Sequence, residues 1–413
     1  MKILMMNRTD TEGGAARGAT RLLEGIRRQN ADVNLYVQRR TGNSPWVISH
    51  SPIWGKTAGY VRRALESILT GLSAGKTQGL FSPAFIPDRV SAPIAVFAPD
   101  IIHLHWVARM MRLETLGRFK MPIVWTLHDS WPFTGGCFLP FDCTRYREAC
   151  GRCPILGSSR EDDLSHWVWQ RKRTTWQNLN LTLIAPSQWM AQRARASSLF
   201  RDRRVEVIPN GLDVSRYQPT NKDRARAHFS LPADKKLLLF GAKSATRDRN
   251  KGFHLLVQSL REIAAGKFGS EIELIVFGSS QPDPPQDLGL KAHYLGWQDD
   301  ETALALLYAA ADVFVLPSLQ ENLPYAIMEA MACGTPCVTF NLGGIPELID
   351  HKQNGYLARP FEASDLTRGL MWVLGDPERR RTLSAGARRR VMQEFELAKV
   401  AERHLSLYRE LLA

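Results

Sequence analysis

The sequence predicts an α/β protein of two Rossmann-like, doubly wound domains facing each other across a cleft. Three observations carry that expectation. Short apolar strands alternate with helically periodic segments, the pattern of a parallel sheet covered by helices. The order of strand, glycine and helix starts twice, at Lys2 and again at Lys236. And 413 residues are too many for one ordinary core.

Lys2-Ile3-Leu4-Met5-Met6 reads as a buried strand, followed by the loop Thr11-Glu12-Gly13-Gly14 and a helix with its apolar face at Ala19, Leu22, Leu23 and Ile26. Val33–Val37 is a second strand. Residues 41–90 have weaker periodicity and several Pro and Gly, and read as an insertion with one amphipathic helix around Tyr60–Leu69. The strands Asp100–His105, Ile123–Leu127 and Leu181–Ala185 follow, and Val205–Gly211 closes the half in a turn signal. The second half opens with the strand Lys236–Gly241. Then come a helix around Phe253–Ile263, the strand Ile272–Phe277, the helix Glu301–Ala310, the strand Val313–Leu316, the helix Tyr325–Ala332 and the strand Pro336–Phe340. Leu366–Leu412 is strongly helical and rich in arginine. The expected domains are residues 1–210, residues 211–390, and a C-terminal helix over 391–413 that packs back on the first. In such folds ligands sit at the carboxyl edges of the strands.

A formal charge of +13 favours anionic partners: diphosphates, acidic lipids or nucleic acid. Nucleic acid is set aside, because no basic stripe with interleaved aromatics and no recognisable binding module occurs. The amino terminus lacks the plan of a signal peptide, and no run approaches the roughly 18 apolar residues of a spanning helix. A cytoplasmic protein, peripheral on the inner face of the plasma membrane, is therefore expected. Four of the six cysteines, Cys137, Cys143, Cys150 and Cys153, fall in one segment. A closing Cys-x-x-Cys after two more thiols suits a structural tetrahedral Zn; free thiols in a packed loop, or redox pairing, are the alternatives.

The stretch Leu316–Pro336 is the most informative. Glu321 ends a loop after a buried strand, and Leu323-Pro324 starts a helix whose first N–H groups suit phosphate. Glu329, about two turns on, suits a ribose diol. By spacing alone both carboxylates read equally well as solvated helix acids. The stretch, however, resembles the signature of the family-4 glycosyltransferases of GT-B fold: a Glu, seven residues, a Glu, then Ala-Met-Ala-Cys-Gly-Thr-Pro. Pro209-Asn210-Gly211-Leu212-Asp213, Gly343-Gly344-Ile345-Pro346-Glu347 and Asn354-Gly355-Tyr356-Leu357 extend the resemblance.

The resemblance implies retaining transfer of a hexosyl group from a nucleoside diphosphate sugar, without a catalytic metal, to a glycan or polyprenyl-phosphate-linked acceptor. It assigns Glu321 to donor-sugar hydroxyls, the N–H groups of Asn322 and Leu323 to phosphate, and Glu329 to the ribose. Lys251 would neutralise the leaving diphosphate. The family's arginine partner is missing after Gly241, which leaves Lys243 or Arg249 for the second charge. Gly13 and Gly14 would form a lip near the donor phosphate and acceptor, and His128 would contact the donor sugar. His103 and His105 read chiefly as structural. Similar Cys-rich loops occur in part of the family. Bacterial surface polysaccharide synthesis is the leading function. The alternatives are glycogen-type synthesis, sugar-nucleotide epimerisation or a catalytically silent glycan-binding protein. A dinucleotide oxidoreductase is disfavoured, since no Gly-x-Gly-x-x-Gly follows either opening strand.

Overall fold

A computed structural model describes residues 1–49, 80–85, 87–241, 244 and 246–413. The chain divides into two compact units, Met1–Pro209 with Val400–Ala413, and Asn210–Lys399. The helix expected around Tyr60–Leu69 lies outside the described residues, as does most of the expected insertion.

The first unit runs β1 (Lys2–Thr9), α1 (Gly14–Arg27), β2 (Asp32–Arg39), β3 (Val47–Ser49), α2 (Ser91–Phe97), β4 (Ile101–Leu104), α3 (Leu113–Leu116), β5 (Ile123–Thr126), α4 (Leu164–Trp176), β6 (Leu181–Ala185), α5 (Gln188–Ala196) and β7 (Arg204–Val207). All strand pairs of the sheet β3-β2-β1-β4-β5-β6-β7 are parallel. Its central strands are apolar on both faces: Ile3, Leu4, Met5 and Met6 are all completely buried. That is what a sheet covered on both sides requires. The strand order reverses direction at β1 and β4, so the loops after β1, β4 and β5 are where a ligand would approach this sheet. Those loops carry Gly13, Gly14, His105 and His128.

The second unit contains α6 (Lys222–His228), β8 (Lys236–Gly241), α7 (Phe253–Ala264), β9 (Ile272–Phe277), β10 (Ala292–Tyr294), α8 (Glu301–Ala310), β11 (Val313–Leu316), α9 (Tyr325–Ala332), β12 (Cys337–Phe340), β13 (Gly355–Ala358), α10 (Ala363–Leu374) and α11 (Pro377–Glu394). Its sheet, β10-β9-β8-β11-β12-β13, is also parallel throughout. Direction reverses between β8 and β11, placing Gly241 and the loop 317–324 at the switch point.

The last helix, α12 (Leu397–Leu412), joins the first unit from Val400 onward. Val400, Ala401, Leu405, Leu407 and Tyr408 are buried in one apolar cluster with Ile3, Met5, Leu23 and Ile26. The expected single helix over 391–413 is corrected in one respect. Residues 391–394 end α11 in the second unit, and the chain pairs with Leu212 through Phe395 and Leu397 before α12 is under way. Arg388 and Arg390 of this arginine-rich segment are spent on backbone carbonyls: Arg388 donates to those of Tyr217, Ala332 and Val214, and Arg390 to that of Glu347. No helix of the described residues is long and apolar enough to cross a membrane.

Candidate functional site

In the second unit three loops meet at the carboxyl edge of the sheet. The first is a short helical turn, Arg249–Lys251, started by Asp248, whose side chain accepts from Asn250 N–H at 3.0 Å. Leu319 N–H donates to the Asn250 carbonyl at 2.8 Å, and Asn250 Nδ2 donates to the Gln320 carbonyl at 3.1 Å. These bonds sew the turn to the second loop, 317–324, which leads from β11 into α9. The third loop follows β12, and Gly344 N–H donates to the Glu321 carbonyl at 3.3 Å.

Two glycines make this convergence possible. Gly252 has φ +69° and a Cβ there would sit 1.7 Å from the Pro317 carbonyl oxygen; Gly343 has φ +61° and a Cβ would sit 2.0 Å from that of Glu321. Both left-handed conformations and both close approaches demand the absence of a side chain.

The convergence pairs Lys251 with Glu321, Nζ to Oε1 at 2.8 Å, with side-chain exposures of 22% and 15%. Burial opposes the Lys251 charge, but the Glu321 carboxylate outweighs it and the ammonium is held above its usual range. Asn322, Leu323 and Pro324 form the head of α9, which Pro324 caps without a side-chain hydrogen bond. Asn210 Nδ2 fixes this head through the Leu323 carbonyl at 2.9 Å. The helix runs Tyr325–Ala332, the bounds its sequence suggested, with Pro324 before it in extended backbone. Glu329 does not join the pair: it is buried, and one of its oxygens accepts from the Tyr308 hydroxyl at 3.0 Å. Arg249 is exposed on its turn, and Lys243 lies outside the described residues.

In the first unit, Gly13 has φ +89° and caps α1 without a side chain, and a Cβ at Gly13 or Gly14 would meet nothing within 4 Å. Backbone is thus presented with open space in front of it. His128 follows β5. Its Nε2 lies 2.9 Å from His105 Nδ1, with the two rings stacked at 5.2 Å. Burial lowers the His128 pKa to about 4, leaving a neutral imidazole at neutral pH. Asp129, next to it, accepts from Trp106 Nε1 at 2.6 Å and from Trp131 N–H at 2.9 Å. Burial raises its pKa to about 6 against those two bonds.

Sequence reasoning missed several residues here. Lys172 is completely buried on α4, donates to the carbonyls of Trp131 and Thr134, and lies 4.0 Å from the centre of the Trp131 ring. It braces the loop that follows His128 and Asp129. Burial lowers its pKa to about 7. Nothing in the apolar pattern of a helix announces a buried lysine. The partner of His128, by contrast, had a signal, the second histidine of His103-Leu104-His105 at a strand end.

The cysteine loop is packed. Cys137, Cys150 and Cys153 are buried, Cys143 is partly so, and all are free thiols. Gly135 N–H donates to Cys150 Sγ at 3.0 Å, and Cys153 N–H to Asp163, which also caps α4. Burial pushes the Cys137 thiol up and that of Cys150 up to about 12, with neighbouring thiols adding to both. Among the described residues no three His, Cys, Asp or Glu side chains are arranged to hold a metal ion, so the expected zinc ligand set does not form.

Comparison with known proteins agrees with this architecture. Residues 221–390 match the family of glycosyl transferases group 1, and residues 12–216 match glycosyltransferase family 4. The chain belongs to the family-4 glycosyltransferases of GT-B fold, and is an enzyme of that class. Among its relatives, D-inositol 3-phosphate glycosyltransferase of Xylanimonas cellulosilytica is 26% identical over 92% of this chain and 88% of its own. WcaC of Escherichia coli, named as a colanic acid biosynthesis glycosyl transferase, is 25% identical over 84% of this chain and 85% of its own. Among solved structures, sucrose-phosphate synthase of Thermosynechococcus elongatus superimposes with TM-score 0.69 at 21% identity, covering 99% of this chain and 98% of that one. Anabaena HepE, solved in complex with UDP, gives 0.62 at 17% identity, with 99% and 100% covered.

Proposed function

We propose that this enzyme is a retaining glycosyltransferase that moves a hexosyl group from a nucleoside diphosphate sugar to a glycan or polyprenyl-phosphate-linked acceptor in bacterial surface polysaccharide synthesis. It would work at the inner face of the plasma membrane. The observation that carries the reading is the Lys251–Glu321 pair at the head of α9. An ammonium beside the start of a helix suits a diphosphate, and a carboxylate within reach of it suits the hydroxyls of the sugar that the diphosphate bears. Glu321 would hold those hydroxyls, Lys251 and the N–H groups of Asn322 and Leu323 the phosphates, and Glu329 the ribose once it gives up Tyr308. Arg249 or Lys243 would add the second cation. His128 would contact the donor sugar, and Gly13-Gly14 would form an unobstructed lip. The reading is supported by the UDP complex of Anabaena HepE and by the polysaccharide assignment of WcaC.

Thermal-shift and calorimetric titration with UDP, GDP, ADP and their sugars, without added metal, tests it. A ligand that binds only the folded state raises its stability, by about 2.7 kcal/mol at a hundred times Kd. Stabilisation by one nucleotide is expected. No shift with any of them at millimolar concentration would overturn the donor assignment.

A further inference from the structure

We propose that Asn250 is a positioning residue for the Lys251–Glu321 pair: its side-chain amide, donating to the Gln320 carbonyl, sets the register in which the ammonium meets the carboxylate. That the pair serves a sugar donor rests on the function proposed above; the placement of the pair does not.

Lys251 and Glu321 are 70 residues apart in sequence, so their meeting depends on how two short segments cross. Asn250 directly precedes Lys251, and Gln320 directly precedes Glu321. The 3.1 Å bond from Asn250 Nδ2 to the Gln320 carbonyl therefore lies one residue before the 2.8 Å ion pair on both segments. That carbonyl belongs to the planar peptide leading into Glu321, so holding it fixes where the Glu321 Cα sits and where its side chain starts. On the far side, Gly344 N–H holds the Glu321 carbonyl at 3.3 Å.

The other bonds between the segments do less for the pair. Gly252 lies against the Pro317 carbonyl, and the Asn250 carbonyl accepts from Leu319 N–H at 2.8 Å. Both set how close the segments come, but both act before Gln320, and neither touches the peptide that carries Glu321. Register matters here because both charged side chains are mostly buried. A displaced ammonium would lose its carboxylate without recovering full hydration.

The amide is itself pre-set. Asn250 N–H donates to Asp248 Oδ1 at 3.0 Å within the turn Arg249–Lys251. Reversing the amide would face two carbonyl oxygens towards each other, so the N–H2 end is the one at Gln320. Asn250 Oδ1 is buried and has no hydrogen-bond partner among the described residues. What the fold takes from this side chain is thus its N–H, which an aspartate of the same shape cannot supply.

The first part of the test needs no activity. In the native chain, Lys251→Ala and Glu321→Gln should be non-additive in melting temperature, as partners in one ion pair are. With Asn250→Ala already in place, that non-additivity should shrink to roughly half or less. Undiminished coupling would overturn the proposal, because a residue that only stiffens the loop lowers every melting temperature alike. The second part is kinetic, with UDP-, GDP- and ADP-glucose as probes. Asn250→Ala should lose about ten-fold in kcat/KM on its own, yet no more than about two-fold when added to Lys251→Ala, where there is no pair left to place. A further ten-fold loss on that background would mean an independent role and defeat the idea. Asn250→Asp keeps the shape and the Leu319 bond but offers Gln320 no N–H, and it sets a second carboxylate beside Lys251. It should lose at least as much as Asn250→Ala, and full activity in it would likewise refute the proposal. The Asp variant replaces the Ala variant in both parts should the latter fold poorly. If the native enzyme turns over no donor, the functional reading fails while the melting cycle still decides the placement.

Discussion

At the scale of single residues, the site is already internally satisfied. Lys251 is paired with Glu321, and Glu329 with Tyr308, so under the proposed reading a donor has to displace contacts the chain makes with itself. Removing one member of the first pair leaves the other largely desolvated and alone, a situation that costs a few kcal/mol for buried pairs. Under the proposed reading, Lys251→Ala and Glu321→Gln each lower kcat by about a hundred-fold or more, roughly 2.7 kcal/mol of transition-state stabilisation. Circular dichroism and melting should show both variants folded. Near-wild-type turnover in both would remove them from the site. The double variant should melt higher than the sum of the singles implies, because two neutral groups face each other where one charge was stranded. Both residues were legible in the sequence through their motif spacing, but their pairing was not. It depends on how the 249–252 turn folds onto the 317–321 loop, a tertiary contact across 70 residues. The resemblance named each residue by its ligand and was silent about what each touches without one.

At the scale of elements, the strands were easiest to read. Lys236–Gly241, Ile272–Phe277 and Val313–Leu316 have the bounds their apolar runs suggested, since a strand buried on both faces leaves an uninterrupted apolar signature. β3, β10 and β13 carried too little signal: three or four residues, with only Val47 of β3 and none of β10 fully buried. The cysteine loop misled for another reason. Thiols at metal-ligand spacing also serve as small apolar groups, and packing against Gly135 and Asp163 is what the fold makes of Cys150 and Cys153. Gly252 shows how an element's position depends on one atom's absence. Gly252→Ala must drive a Cβ into the Pro317 carbonyl and adopt φ +69°. The turn carrying Lys251 then has to move away from the Glu321 loop. A loss of about 2 kcal/mol or more in stability is expected, with a collapse of turnover larger than stability alone explains at the assay temperature. Urea melts and kinetics on the same preparation check this. An Ala variant that keeps full activity and stability would mean that the loops do not pack this way.

At the scale of the whole molecule, charge has to be read after folding. The net charge of +13 favours anionic partners, yet much arginine is consumed internally. Arg203 binds the carbonyls of Trp176, Gln177 and Leu179, Arg226 those of Ala233, Lys235 and Ala310 as well as Asp312, and Arg388 three more. The histidines matter more for how the first unit answers to pH. His103 on β4, His105 and His128 just beyond β4 and β5, and His404 on α12 lie in one cluster, and burial lowers all four, His128 and His404 to about 4. An unfolded histidine titrates near pH 6.5, so between 6.5 and about 4 the unfolded chain binds the more protons and stability falls as pH falls. The contribution is present in full above pH 6.5. Asp129 works the other way, because its raised pKa makes the native state the better proton acceptor between about 4 and 6, but it is one group against four. Each histidine can tilt stability by at most about 1.4 kcal/mol per pH unit in that window. The first unit should therefore melt well below its neutral-pH temperature at pH 5, seen as early loss of hydrogen-exchange protection in β4, β5 and α12. His404→Gln should flatten the slope in the same window. Equal melting temperatures at pH 7.5 and 5 would mean that these imidazoles are already protonated when buried, and with that the neutral His105–His128 contact would go too.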